Sequence, residues 1–233
     1  MGRLSNNEFN HLTNFLGYGE ISAPVWFLGI EESTDNAEII RRRISFQAVE
    51  DCKEAHEKLG ITKHHEGDRT IQRTWAYLCR LMLILHNTDP RDTEAVRTYQ
   101  AEQLGRKNGE TFLGDLLPIP SKSNGDWDYE NFLPQYSNRQ DYETDILPKR
   151  ISLWKTQIRT HRPRVVMCYG KKYWPTYKQL FPDAIFNGDS VVAHAEAGDQ
   201  VFILTHFPTL STMNNRYSEI ANIMRKYYSP NPK

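Results

Sequence analysis

Four short apolar runs in this chain each stop at residues able to carry protons or bind ligands. Glu31 and Glu32 follow Val25-Trp-Phe-Leu-Gly29, and Asp115 lies toward the end of Thr111-Phe-Leu-Gly-Asp-Leu-Leu117, which Pro118-Ile-Pro120 breaks. Lys171 and Lys172 follow Arg164-Val-Val-Met-Cys-Tyr-Gly170, and His206 and Thr209 follow Gln200-Val-Phe-Ile-Leu-Thr205. Carboxylates, an imidazole and ammonium groups are the materials of catalytic and ligand sites. Open α/β sheets place such sites at the carboxyl ends of their strands. If the four runs are parallel strands, all four ends lie on one edge, and residues far apart in sequence converge there.

The elements needed to hold that edge can be read from periodicity and breakers. Residues 6–18 read as a short helix ending at a glycine. Residues 33–65 are charged and irregular, with room for one or two helices. In residues 71–85, Trp75, Leu78, Cys79, Met82 and Leu85 recur at helical spacing and predict a core-facing helix. Residues 88–108 read as a second helix or excursion. A long loop, residues 121–142, is rich in Asn, Asp, Ser and aromatics, and loops of that length are usually functional or mobile. A helix over residues 143–161, strands over 190–195 and 200–205, and a closing helix over 217–228 complete the chain. Strands alternating with helices imply an α/β fold whose mainly parallel sheet is covered on both faces.

The 233 residues suit a single α/β domain carrying insertions near 33–65 and 121–142. Formal net charge is zero, which argues against a protein that coats nucleic acid with a global basic field. No signal-peptide core or membrane-length apolar run is evident, so a soluble, cytoplasmic protein is expected, with no membrane partner. Cys52, Cys79 and Cys168 are far apart and form no CxxC pair, so free thiols are expected. His64-His65 sits in a charged loop and is expected to be exposed. No His or Asp/Glu pairs stand at ligand spacing on a common element, so no metal and no cofactor are expected.

In order and spacing these motifs resemble those of the uracil-DNA glycosylase superfamily. Gly29-Ile-Glu-Glu32 approximates its Gly-x-Asp/Asn-Pro motif, Asp115-Leu-Leu-Pro118 its Asn-x-x-Pro, and His206-Phe-Pro-Thr209 its His-Pro-Ser with one residue inserted. The likeness extends over residues 25–225, and no motif is identical. It implies a three-layer α/β/α sandwich around a central, mainly parallel sheet of four to five strands. It also implies an enzyme that flips a nucleotide out of double-stranded DNA and cleaves its glycosidic bond, leaving an abasic site. Glu31 matches the catalytic acid that orients water or stabilises the oxocarbenium-like transition state. Glu32 replaces the motif's proline. Neighbouring side chains on an extended segment point to opposite sides, so one of the two is expected to face the pocket, and Glu31 is the choice. An N-cap or a loop ion pair is the alternative role for the acidic pair. His206 matches the group that donates to the departing base.

Two departures point to an unusual base. Where the family reads uracil with Asn, this chain has Asp115; an ionised carboxylate only accepts, which suits the amine of cytosine and repels uracil O4. The alternative is that Asp115 caps the turn at Pro118. Where the uracil enzymes place a tyrosine against the base C5 edge, Ser33 leaves that edge open. Together they imply a cytosine with a bulky 5-substituent, hydroxymethyl or sugar, as in modified phage DNA, and hence a role in defence. Uracil or damaged-base repair, non-catalytic binding of modified DNA, and hydrolysis of free nucleosides are the rival functions.

Further contacts fall on side chains with equally plain structural roles. Phe46 could stack on the flipped base or fill the core. Leu210, Met213 or Asn214 could supply the wedge that fills the vacated stack. Lys171, Lys172 and Arg41-Arg-Arg43 could meet phosphates or simply be solvated. Trp127 and Tyr129 could grip DNA or the 5-substituent.

Overall fold

A computed structural model describes residues 2–34, 36–121, 127, 129 and 131–230. A capping box opens α1 (Asn6–Thr13), with Ser5 accepting from the Glu8 amide and Glu8 reaching back to Ser5. β1 (Gly17–Gly19), β2 (Val25–Gly29) and α2 (Ala37–Arg42) follow, then a 3-10 turn at Arg43–Ser45. β3 (Val49–Glu50), α3 (Cys52–Leu59), α4 (Arg73–Leu85) and α5 (Thr93–Glu102) lead to β4 (Thr111–Asp115). α6 (Arg139–His161) and β5 (Val165–Tyr169) come next, with a 3-10 turn at Lys171–Tyr173 running into α7 (Trp174–Lys178). β6 (Asn187–Gly188), β7 (Val192–Ala197), β8 (Gln200–Thr205), a turn at Ser211–Met213 and α8 (Tyr217–Arg225) close the chain.

The described strands form one mixed sheet of eight, in the order β3-β1-β4-β2-β5-β8-β7-β6. Its middle four, β4-β2-β5-β8, are parallel, with Gly29 opposite Asp115 and Tyr169 opposite Thr205. All four apolar runs singled out in the sequence therefore end on one edge. The sheet is wider than the expected four to five strands because β1 and β3 extend it beyond β4, and β7 and β6 beyond β8. β1 is Gly-Tyr-Gly, too short for periodicity to reveal, and lies where the sequence reads as the end of a helix. α1 stops at Thr13, capped by Asn14, and Gly17 and Gly19 of β1 adopt positive φ, 149° and 110°, a conformation that favours glycine.

Alternate residues of the central strands divide two apolar cores. Trp26, Leu28, Val166, Cys168, Phe202 and Leu204 join one core with α1 and α6. Val25, Phe27, Val165, Met167, Val201 and Ile203 join the other with α3, α4, α5 and α8. A strand buried on both sides reads as a continuous apolar run, and this explains why these four strands stand out in the sequence while β1, β3 and β6 do not. In α4 the residues Leu78, Cys79, Met82 and Leu85 are buried as their spacing predicts. The three cysteines are free and buried. Among the described residues no helix is long and apolar enough to cross a membrane.

Candidate functional site

Past the paired ends of β2 and β4 the two chains stay together. The Leu116 and Leu117 amides donate to the carbonyls of Gly29 and Ile30 at 2.9 and 2.7 Å, and the Ser121 amide donates to that of Glu32 at 3.0 Å. This extended segment sends Glu31 and Glu32 to different partners, in keeping with the alternation of extended backbone. Glu31 meets α6, where Arg139 Nη2 donates to both carboxylate oxygens at 2.9 and 2.8 Å. Arg139 Nε also donates to Glu143 at 2.7 Å, and the Tyr173 hydroxyl to Glu143 at 2.8 Å. Glu32 is gripped by Arg43 through Nη1 and Nη2 at 2.7 and 2.5 Å, and the Tyr18 hydroxyl donates to it at 2.8 Å. Both acidic groups thus sit in ion pairs, the alternative that the sequence allowed.

The two pairs differ in their electrostatics. Burial pushes the Glu31 carboxyl up to about 7, against the pull of Arg139. Burial also works to raise Glu32, but the Arg43 guanidinium and the Tyr18 hydroxyl outweigh it and hold that carboxyl below its usual range. Glu32 is therefore a fixed negative charge at neutral pH, while Glu31 is poised to exchange a proton, as a general base requires.

Asp115 lies over Gly29. A Cβ placed on Gly29 would stand 2.4 Å from Asp115 Oδ1 and 2.7 Å from the Tyr169 hydroxyl, so only glycine lets these two side chains converge there. The Asp115 main-chain carbonyl accepts from Arg150 Nη2 at 2.7 Å and Trp154 Nε1 at 3.2 Å, whereas no donor among the described residues meets its carboxyl. It does not cap the turn at Pro118. Burial, then the neighbouring Glu32 charge, pushes this carboxyl up to about 8. Asp115 is thus mostly a neutral acid at pH 7, and it donates as well as accepts. The exclusion of uracil O4 inferred for an ionised carboxylate does not hold for the neutral form.

Linkage gives this a measurable sign. An acid neutral in the fold but ionised in the unfolded chain contributes stability in full below pH 4, and that contribution is lost as pH rises toward 8. Asp115→Asn cannot ionise. Urea unfolding should find wild type and variant alike near pH 4, with the variant more stable at pH 8 by on the order of 2–4 kcal/mol after allowance for partial exposure. Parallel stability curves would mean that Asp115 is ionised in the fold.

His206 stands at the end of β8, two strands from β2 and so roughly 10 Å along the edge. Its Nε2 lies 2.7 Å from the Ser190 carbonyl, an acceptor only, so that nitrogen carries the proton, while Nδ1 faces the Thr212 hydroxyl at 3.4 Å. The ring is therefore tied to the chain entering β7 and must turn, or gain a second proton, to donate elsewhere. Tyr169 bridges the gap: its hydroxyl overhangs Gly29 and its ring lies 5.8 Å from that of Phe207. Ser33, Thr209 and Asn214 are exposed, as are Lys171 and Lys172, whose ammonium groups lie over the rings of Trp174 and Tyr173.

Several expected contacts are structural instead. Phe46 is 2% exposed and packs in the core against Phe15, so it cannot stack on a base. Met213 is fully buried and cannot act as a wedge, whereas Leu210 is 47% exposed. Arg43 is buried on Glu32, Arg41 donates to the Gly2 carbonyl, and Arg42 reaches Glu38 and the Leu59 carbonyl. Tyr129 is buried with its hydroxyl on the Pro120 carbonyl at 2.6 Å, and Trp127 donates to the Tyr136 carbonyl at 3.1 Å. These loop aromatics pack into the core rather than projecting to grip a ligand. His65 is buried rather than exposed.

The sequence did not single out Arg139, Tyr169, Tyr18 or Arg150. One signal was legible: Asn138 followed three residues later by Asp141 is an N-cap pattern, and Asn138 Oδ1 does accept from the Asp141 amide at 3.0 Å. It starts α6 four residues before the expected Glu143, and places Arg139, Glu143, Ile146, Arg150 and Trp154 on one face. No protein-family model matches the chain and no curated protein matches it, so what it does must be judged from this edge and its carboxyl groups.

Proposed function

We propose that this chain is a monofunctional DNA glycosylase that flips a 5-substituted cytosine, hydroxymethylated or glucosylated, out of duplex DNA and hydrolyses its glycosidic bond. The observation that carries the proposal is the gathering of Glu31, Glu32 and Asp115, with three different proton affinities, where parallel strands end. Apolar cores on both sheet faces support a three-layer α/β/α sandwich of the glycosylase kind. Three buried free thiols suit a reducing cytoplasm.

In the proposed reaction a water oxygen bonds to C1′ as the C1′–N1 bond breaks and its electron pair leaves with the base. Glu31, ionised, takes the water proton, and Glu32 supplies a fixed negative charge that favours the oxocarbenium-like state. Asp115 as the neutral acid donates its hydroxyl proton to cytosine N3 and accepts from the N4 amine through its other oxygen. The neutral acid could pair with uracil in the reverse sense, so selection for substituted cytosine falls to the open C5 edge beside Ser33. His206, once turned, donates to the base oxygen. Leu210 is the wedge, and Lys171 and Lys172 meet the phosphates.

Abasic-site formation on matched duplexes, each with one cytosine, uracil, 5-hydroxymethylcytosine or glucosylated hydroxymethylcytosine, tests this. The substituted cytosines should react. Cleavage of the uracil duplex alone would overturn the role given to Ser33. A second function draws support from the ion pairs holding both glutamates, namely that the chain binds modified DNA without cutting it; tight, salt-dependent binding with no abasic product would establish that instead.

A further inference from the structure

Away from the sheet edge, one group of three metal-ligating side chains gathers among the described residues. Cys52 and His56 stand one turn apart on α3, and His65 enters from the segment between α3 and α4. Their ligand atoms lie within 4.8 Å of one another and all three residues are buried. His65 Nε2 is 3.1 Å from His56 Nδ1. Ligands of a tetrahedral ion at about 2.0–2.3 Å from the metal stand roughly 3.3–3.7 Å apart, so sub-ångström to ångström shifts would seat an ion here.

The positions are fixed by the surrounding structure. Asp51 caps α3 by accepting from the Lys53 and Glu54 amides, and its other oxygen is taken by Arg106 and Lys107. The Cys52 amide donates to the Gly105 carbonyl at 2.9 Å. Trp75 stacks on the His56 ring at 5.1 Å, and Gln100 Nε2 donates to the His64 carbonyl at 3.0 Å. The nearby carboxylates of Asp51 and Glu32 are already held by arginine, so the available donors are one sulfur and two imidazoles.

One of the two facing nitrogens must carry a proton for the 3.1 Å contact, and the buried His65 Nδ1 finds no hydrogen-bond partner in good geometry among the described residues. Donation from His65 Nε2 would leave its Nδ1 a bare acceptor beside the Ala101 carbonyl, so His56 Nδ1 is the donor of this contact and His65 Nδ1–H faces Ala101. With an ion between the rings, His56 Nδ1 and His65 Nε2 both present lone pairs, and His65 Nδ1–H is free to donate toward Ala101. Metal-bound histidines commonly pair their other nitrogen with a main-chain carbonyl in this way.

We propose that Cys52, His56 and His65 form a zinc site. Sulfur with imidazole nitrogens is a zinc donor set, and i,i+4 spacing on a helix puts the first two on one face. Three protein ligands leave a fourth position for solvent. The ion ties the segment between α3 and α4 to α3. It also braces the wall of the sheet edge, since the Tyr18 ring lies 6.0 Å from that of His56 and its hydroxyl holds Glu32. This site is independent of the reaction proposed above.

The test is cobalt(II) titration of the full chain after chelator treatment, with cobalt as the spectroscopic stand-in for zinc. One equivalent should bind, with a thiolate-to-cobalt charge-transfer band and the intense visible bands of a four-coordinate ion, and zinc should displace it. Cys52→Ser should lose the charge-transfer band, and His65→Gln should weaken binding by about tenfold or more. Wild type alone decides the first point should a variant fail to fold. No thiolate band in wild type, or the same band retained in folded Cys52→Ser, would overturn the site.

Discussion

Glu31→Gln is expected to lower base excision by about 1,000-fold or more, ~4 kcal/mol of barrier, while changing duplex affinity by no more than about threefold. The amide keeps the shape of the side chain and can still accept from Arg139, so the edge stays built. It cannot take a proton from water or carry negative charge toward the sugar. The pH profile carries a second signature. Wild-type rate should rise through about pH 7 as Glu31 ionises, and fall above about pH 8 as Asp115 loses the proton it donates to cytosine N3. The two limbs belong to interacting groups, so their midpoints describe the cluster rather than each residue. In Glu31→Gln the acid limb should vanish from the residual rate while the alkaline limb persists. Single-turnover base release across pH 5.5 to 9 measures both. A variant within tenfold of wild type would remove Glu31 from the chemistry.

The largest effect on stability is expected at Arg43. Arg43→Met should cost about 2–4 kcal/mol, because it leaves the partly buried Glu32 without its counter-charge. Glu32 is well able to show this loss: among the described residues, two of the three hydrogen bonds to its carboxylate come from Arg43, and that guanidinium holds it ionised. The double variant Arg43→Met, Glu32→Gln should recover most of the loss, since no charge is then stranded. Urea denaturation of the two single variants and the double closes the cycle. Equal losses in Arg43→Met and in the double variant would mean that packing of the arginine, not charge pairing, is what matters.

The central strands were legible because a strand buried on both faces leaves an unbroken apolar run, as Val25 to Leu28 and Val165 to Cys168 do. Their convergence followed from parallel topology alone. β1, β3 and β6 were not legible, since two or three residues carry no period. The divergence of Glu31 and Glu32 was readable from extended backbone, but what each meets was not. Arg139 lies 108 residues from Glu31, and no local pattern links them. Arg43 was hidden by its neighbours: three consecutive arginines look alike until the 3-10 turn buries one of them. Asp115 was found by position, yet its protonation depends on burial and on Glu32, which no spacing encodes. Cys52 and His56 stand four apart, but the charged, irregular stretch around them marks no helix that would put them on one face, and the charge around His65 suggested exposure.

Mass spectrometry of the bases released from modified phage DNA, alongside unmodified and uracil-containing DNA, decides whether this edge excises substituted cytosine. Hydroxymethylcytosine or its glucosylated form should appear in the soluble fraction of the modified sample, with abasic sites in equal number, and no cytosine should be released from unmodified DNA. Release of uracil alone, or of no base from any of the three, would contradict that excision.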